Sequence, residues 1–212
     1  MTTNRSYSAA SDYLAAIDTD WAKLVATVGS CTHLPKPERE PYEALVRTVA
    51  YQQLHARAAE AILGRLVALH CNQFPTPEQL LAMDEQQLRA CGFSARKTLT
   101  LKAIAEAARN GLIPNRTTAD KMPDDELINR LITLPGIGRW TVEMLLIYTL
   151  ERIDIFPIDD FGVRNGYRFL KSLDDLPSRK TLQQASLAFK PYGTIAAWYL
   201  WRAAELATTK TP

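Results

Sequence analysis

Apolar side chains return every three or four residues along almost the whole chain: Leu45, Val46 and Val49, then Ile62, Leu63, Leu66 and Val67, then Leu127, Ile128, Leu131 and Ile132. A stripe of that period runs down one face of an α-helix, whereas a half-buried strand needs strict alternation. The pattern predicts an all-α fold of about nine or ten helices. The one β-like stretch, residues 153–158, is short and contains Pro157, so it is expected to be an extended connector. Boundary signals agree with the periodicity. Thr76-Pro77-Glu78 reads as an N-cap with proline at N1, Ser94 can cap the segment that Gly111 closes, and Pro177 and Gly193 punctuate the last third. Loops are expected at residues 34–41, 114–123 and 174–177, with no internal repeat or low-complexity linker.

With 212 residues, 47% of them hydrophobic, the chain can bury one large core or two small ones. No apolar run approaches the roughly 20 residues that span a bilayer. The opening MTTNRSYSAASDYLAA lacks the apolar centre of a secretory signal, so a cytoplasmic protein with no membrane partner is expected. Cys31, Cys71 and Cys91 lie far apart and form no ligand spacing, which argues against an iron–sulfur cluster, a zinc site or a disulfide framework. A net charge of +2 and a pI of about 8.4 neither announce nor exclude nucleic acid, which a local basic patch can hold.

The string LPGIGRWT, residues 134–141, is the most informative in the chain. The amphipathic stretch 124–134 must stop at Pro135, because proline disfavours αR in the residue before it and has no N–H to donate. Gly136 and Gly138 then permit positive φ or a close approach by another group, and a second helix restarts over 139–150. The product is a helix-hairpin-helix whose second helix aims unsatisfied amides, and the positive end of its dipole, past side-chain-free glycines. A phosphate suits such a place; a plain tight corner between helices is the other reading. Gly136, Gly138, Arg139 and Thr141 are the phosphate candidates here, with Lys97 and Arg164 elsewhere, although exposed basic residues also simply solvate helix faces.

Asp159 and Asp160 follow the hairpin, the second of them 160 − 136 = 24 residues after Gly136, at the foot of another predicted helix. Adjacent acids at a helix start also serve as an N-cap and a dipole partner. In company with the hairpin and the apolar-proline connector, however, they resemble the helix-hairpin-helix (HhH-GPD) DNA glycosylase superfamily. That resemblance implies a two-lobed helical fold with a cleft between lobes, at residues 39–160 and at residues 1–38 plus 161–212. It also implies Asp160 as the catalytic carboxylate, aligned by Val163 three residues on. Cleavage of an N-glycosidic bond builds positive charge on the sugar, which a fixed carboxylate stabilises while it orients water. Relatives that also cut the backbone carry a Schiff-base lysine two residues after the last hairpin glycine. Trp140 stands there, so hydrolysis alone, with no lyase step, is expected.

GRWT, FPIDDFGVR, YQQL at 51–54, Phe74-Pro75 before TPEQLLAMDEQQLRACGFSARK, and KPYGTIAAWYLWR at 190–202 look most like the 3-methyladenine DNA glycosylase II (AlkA-like) branch. The likeness spans about residues 42–205, without the extra N-terminal β-rich domain of the larger members. It implies base excision repair of damaged double-stranded DNA by a monomer that flips alkylated purines such as 3-methyladenine and 7-methylguanine out of the helix. A purine methylated at N3 or N7 is cationic, which weakens its glycosidic bond and draws it to aromatic faces. Trp140, Trp201 and Phe161 are the expected pocket walls, with Met144 where well-known relatives have tyrosine. Each tryptophan also reads as core packing. The resemblance makes Leu54 the wedge that fills the vacated stack, flanked by Gln53 and His55, where spacing alone would make it another core leucine. It implies no required cofactor; related hairpins hold a monovalent cation, Na+ or K+, through main-chain carbonyls at positions matching Ile132, Leu134 and Ile137. Two other readings stay open: a glycosylase for uracil, a mismatched base or an oxidised base, and a non-catalytic helix-hairpin-helix DNA-binding module.

Overall fold

A computed structural model of the chain describes residues 7–209, and among these every regular element is helical. In chain order they are α1 (Ser8–Ala15), α2 (Thr19–Val28), α3 (Pro41–Tyr51), α4 (Ala56–Ala68), α5 (Pro77–Ala82), α6 (Glu85–Ala90), α7 (Ala95–Arg109), α8 (Arg116–Ala119), α9 (Asp124–Leu131), α10 (Arg139–Tyr148), α11 (Phe161–Leu170), α12 (Arg179–Ser186) and α13 (Gly193–Thr209), with a 3-10 turn at Leu187–Phe189. Thirteen helices exceed the expected count because α5, α6 and α8 are too short to display a period. Capping builds them instead. Thr76 and Gln79 form one capping box and Asp84 and Gln87 another, and Asn115 caps α8 within the expected 114–123 loop. Ser94 caps α7 through the Lys97 amide, as its sequence position predicts. Among the described residues no helix is long and apolar enough to cross a membrane.

Two compact units emerge. One, Pro35–Glu151, holds α3 to α10; the other joins Met1–Leu34 to Arg152–Pro212. The chain therefore changes unit at residue 151, not at the expected 160, and the connector 152–160 goes with the terminal segments. Hydrogen bonds to the start of α13 explain the shift. Gly193 N–H donates to Asp154 Oδ1 at 3.1 Å, Thr194 N–H to the Ile153 carbonyl at 3.0 Å, and Thr194 Oγ1 both accepts from Ile155 N–H at 3.1 Å and donates to the Arg152 carbonyl at 2.7 Å.

The core of the terminal unit gathers Leu14, Trp21, Val163, Phe189 and residues 195–200 of α13. Trp21 meets Phe189 edge-on with ring centroids 5.1 Å apart, and the buried Tyr199 hydroxyl is satisfied by Ser11 at 2.8 Å and the Gly29 carbonyl at 3.0 Å. The central unit packs α3 against α7 and α10, burying Leu45, Val46, Val49, Leu101, Ile104, Val142, Leu145 and Leu146. Lys102 closes α5 by donating to the carbonyls of Leu80, Leu81 and Met83.

Candidate active site

Asp160 ends the connector and is the N-cap of α11, its Oδ1 accepting the Val163 N–H at 2.8 Å. The same oxygen accepts the indole Nε1–H of Trp201, on α13, at 2.8 Å. Two donors converging on one oxygen fix the plane of the carboxylate, while the residue stays only part-buried. Capping and catalysis are therefore compatible uses of this side chain: the contacts that cap the helix also hold the group still.

Two glycines that sequence reasoning passed over make this possible. A Cβ on Gly162 would lie 2.8 Å from Cδ1 of Trp201, and one on Gly166 would collide with the Leu200 carbonyl. Both lie on the face of α11 that meets α13, so the helices approach closely enough for the indole to reach Asp160. Their four-residue spacing in FGVRNG was the available signal.

Asp159 is turned away, paired with Arg179 Nε at 2.9 Å in the first turn of α12. Arg164, expected at a phosphate, donates from Nη2 and Nε to the Pro177 carbonyl at 3.0 and 3.3 Å and so tethers the loop before α12. Phe161, beside Asp160, is 67% exposed.

In the central unit α9 ends at Leu131, three residues before the expected Leu134. The chain then tightens, with Leu134 N–H bonded to the Leu131 carbonyl at 3.1 Å and Thr133 Oγ1 to the Arg130 carbonyl at 2.7 Å. The two hairpin glycines do different work. Gly136 has φ +79°, and a Cβ there would run into Thr100 of α7. Gly138 is the N-cap of α10 at φ −97°, and nothing lies within 4 Å of where its Cβ would be. One glycine solves the corner and the other leaves open space before the first-turn amides of α10, which have no i−4 carbonyl within the helix.

Arg139 pairs with Glu143 at 3.0 Å and remains half exposed. Thr141, another expected phosphate contact, is buried and accepts Gln52 Nε2–H at 3.0 Å. Lys97 is part-buried, and its ammonium donates to the carbonyls of Ala50 at 3.0 Å and Gln52 at 2.8 Å, closing the end of α3; burial lowers its pKa. Trp140 is part-buried in the first turn of α10, and Met144 is buried one turn further on. Gln53, Leu54 and His55 occupy the turn between α3 and α4. Gln53 is left-handed at φ +58°, Leu54 is 41% exposed, and His55 is the N-cap of α4. Of the carbonyls matched to a monovalent cation, that of Leu134 already accepts the Ile137 N–H at 3.1 Å, which leaves it one lone pair. Ile132 is the αR C-cap of α9. Among the described residues no three His, Cys, Asp or Glu are grouped to hold a metal ion.

An all-helical chain with a glycine-punctuated helix-hairpin-helix and, downstream, a helix-capping aspartate held by an indole has the architecture of the HhH-GPD DNA glycosylases. The chain belongs to that family, described as the HhH-GPD superfamily base excision DNA repair proteins, whose pattern it matches over residues 46–191. It is 47% identical over 209 residues to DNA-3-methyladenine glycosylase 1 of Schizosaccharomyces pombe, covering 98% of this chain and 92% of that protein. It is 38% identical over 209 residues to the alkylbase DNA glycosidase-like protein mag2 of the same yeast, covering 97% and 98%. Among solved structures it is similar to the S. pombe 3-methyladenine DNA glycosylase Mag1 in complex with abasic DNA, with a TM-score of 0.89 over 94% of this chain and 98% of that one at 47% identity. A DNA-3-methyladenine glycosidase from Bacillus halodurans superposes with a TM-score of 0.81 at 29% identity, covering 97% and 94%.

Proposed function

We propose that the chain is a base excision repair glycosylase that hydrolyses the N-glycosidic bond of alkylated purines in double-stranded DNA, 3-methyladenine and 7-methylguanine among them, and leaves an abasic site. The observation that carries this reading is the convergence of Trp201 Nε1–H and Val163 N–H on one oxygen of Asp160. Held in that way, the carboxylate needs no reorganisation as the sugar becomes cationic. It stabilises the oxocarbenium-like centre and orients or deprotonates the attacking water. A methylated purine is already a good leaving group, so the reaction asks little general acid help at the base.

The amides at the start of α10 hold a backbone phosphate across the open side of Gly138, with Arg139 beside them. Leu54 enters the stack where the base has left, with Gln53 and His55 at its sides. Beside Asp160 in the terminal unit, Trp201 and Phe161 supply aromatic surface for the base; in the central unit Trp140 and Met144 are the candidates of the same kind. With Trp140 in place of a Schiff-base lysine, the reaction ends at the abasic site.

The test is incubation with methylated genomic DNA and chromatography of the released bases, beside a panel of duplexes carrying single uracil, mismatched and oxidised bases. Release of 3-methyladenine or 7-methylguanine is expected. Release of only the other lesions would move the substrate class, and duplex binding with no release at all would leave a non-catalytic module.

A further inference from the structure

The turn that carries Gln53, Leu54 and His55 is fastened to the hairpin by side chains outside both. Gln52, the last residue before the turn, sends its amide Nε2 to the Gly136 carbonyl at 3.2 Å and to Thr141 Oγ1 at 3.0 Å, one contact on each side of the hairpin's open amides. Lys97 holds the other side of the same residue, its ammonium donating to the carbonyls of Gln52 and Ala50. The next residue, Gln53, has φ +58°, a region that non-glycine residues occupy only where the surroundings over-determine it. Thr100, one turn beyond Lys97 on α7, packs against Gly136, so one helix supports both loops. The buried Thr141 hydroxyl and the part-buried Lys97 ammonium thus both make hydrogen bonds inside the protein that join the two loops.

We propose that Gln52 and Lys97 are positioning residues that lock the wedge turn to the phosphate-gripping hairpin, so that anchoring the backbone and extruding the base are one coupled event. This rests on the glycosylase reading above. If the wedge were free to shift relative to the gripped phosphate, binding energy gathered at the hairpin would not drive a side chain into the stack. Locked together, the two loops transmit it directly.

The coupling predicts a defect that depends on base pairing. In Gln52→Ala and Lys97→Met, single-turnover release of 7-methylguanine paired with cytosine should slow about tenfold, the scale of losing one positioning hydrogen bond. With the same base opposite a tetrahydrofuran abasic analogue, extrusion needs little help, and both variants should return to within about twofold of wild type. Equal slowing on both substrates, or no slowing on either, would overturn the coupling. Extrusion is read separately from cleavage by the fluorescence of 2-aminopurine placed beside the lesion. A wild type that extrudes but does not cleave would remove the glycosylase reading and leave the coupling standing if the variants extrude less. Variants that extrude as fully as wild type would remove the coupling alone. A wild type that neither extrudes nor cleaves would remove both.

Discussion

Trp201 donates its indole N–H to Oδ1 of Asp160 at 2.8 Å and thereby ties the middle of α13 to the first residue before α11. The Trp201→Phe variant keeps an aromatic ring and removes the donor. Single-turnover base release should fall about tenfold, with thermal stability changed by no more than about 1 kcal/mol. Unchanged release, followed by chromatography of the freed base, would mean that the indole only fills space.

The two hairpin glycines should separate folding from binding. Gly136→Ala places a Cβ at a left-handed position against Thr100 and should cost about 2–3 kcal/mol of stability, read by denaturant unfolding. Gly138→Ala meets no neighbour and sits at ordinary φ, so its unfolding midpoint should stay near wild type. Its affinity for duplex, measured by fluorescence anisotropy, should weaken about tenfold if a backbone phosphate docks there as proposed, because the new methyl fills that open space.

A similar split is expected on α11. Gly166→Ala forces a methyl into the Leu200 backbone and should destabilise by about 3 kcal/mol or more. Gly162→Ala meets the edge of the Trp201 indole, which can shift, so stability should suffer less and base release more. Calorimetry beside the release assay distinguishes the two.

Lys171 bonds both Asp18 and Asp20, at 2.6 and 2.8 Å. Burial opposes ionisation of Asp18, yet the Lys171 ammonium and the Trp21 and Asp20 amides outweigh it and hold its pKa below 3.8. Burial likewise opposes the charge on Lys171, and the two carboxylates outweigh it and raise its pKa above 10.5. A depressed acid contributes stability above its unfolded pKa, and a raised base contributes below its own. Lys171→Met should therefore lose about 0.5–1 kcal/mol at neutral pH, a small value because the carboxylates are more than a third exposed. The difference from wild type should shrink as pH falls below 3.8 or climbs above 10.5, as read by urea unfolding at several pH values.

With Trp140 where lyases keep lysine, borohydride added to the protein and an abasic duplex should trap no covalent adduct, and the strand should remain intact until treated with alkali. A trapped complex on a denaturing gel would show that another amine forms the imine.

Local chemistry was legible in the sequence where a residue's partners lie within a turn or two. Ser94, Thr76 and Asp160 cap helices where side-chain oxygens can reach amides three residues on, and the hairpin glycines mark the corner. The end of α9 was less legible, because Pro135 restricts Leu134 but the last turn had already loosened after Leu131. Long-range partners were not legible at all. Lys97 reads only as a phosphate candidate, and its carbonyl acceptors, 45 and 47 residues away, come into view with the fold. Gly162 and Gly166 look like ordinary weak points in a helix until α13 is laid against them. Asp160 was found by the family pattern, whereas the indole that orients it follows only from the packing of α11 on α13.

On the proposed function Asp160, and not its neighbour Asp159, performs the chemistry. The most direct measurement is single-turnover release of 3-methyladenine and 7-methylguanine from methylated DNA by wild type, Asp160→Asn and Asp159→Asn. The amide at 160 cannot offset the sugar's developing charge, so release should fall by a factor of about a hundred or more. Asp159→Asn loses only an exposed pair with Arg179 and should stay within about threefold of wild type. Full activity in Asp160→Asn, or a collapse confined to Asp159→Asn, would contradict the account.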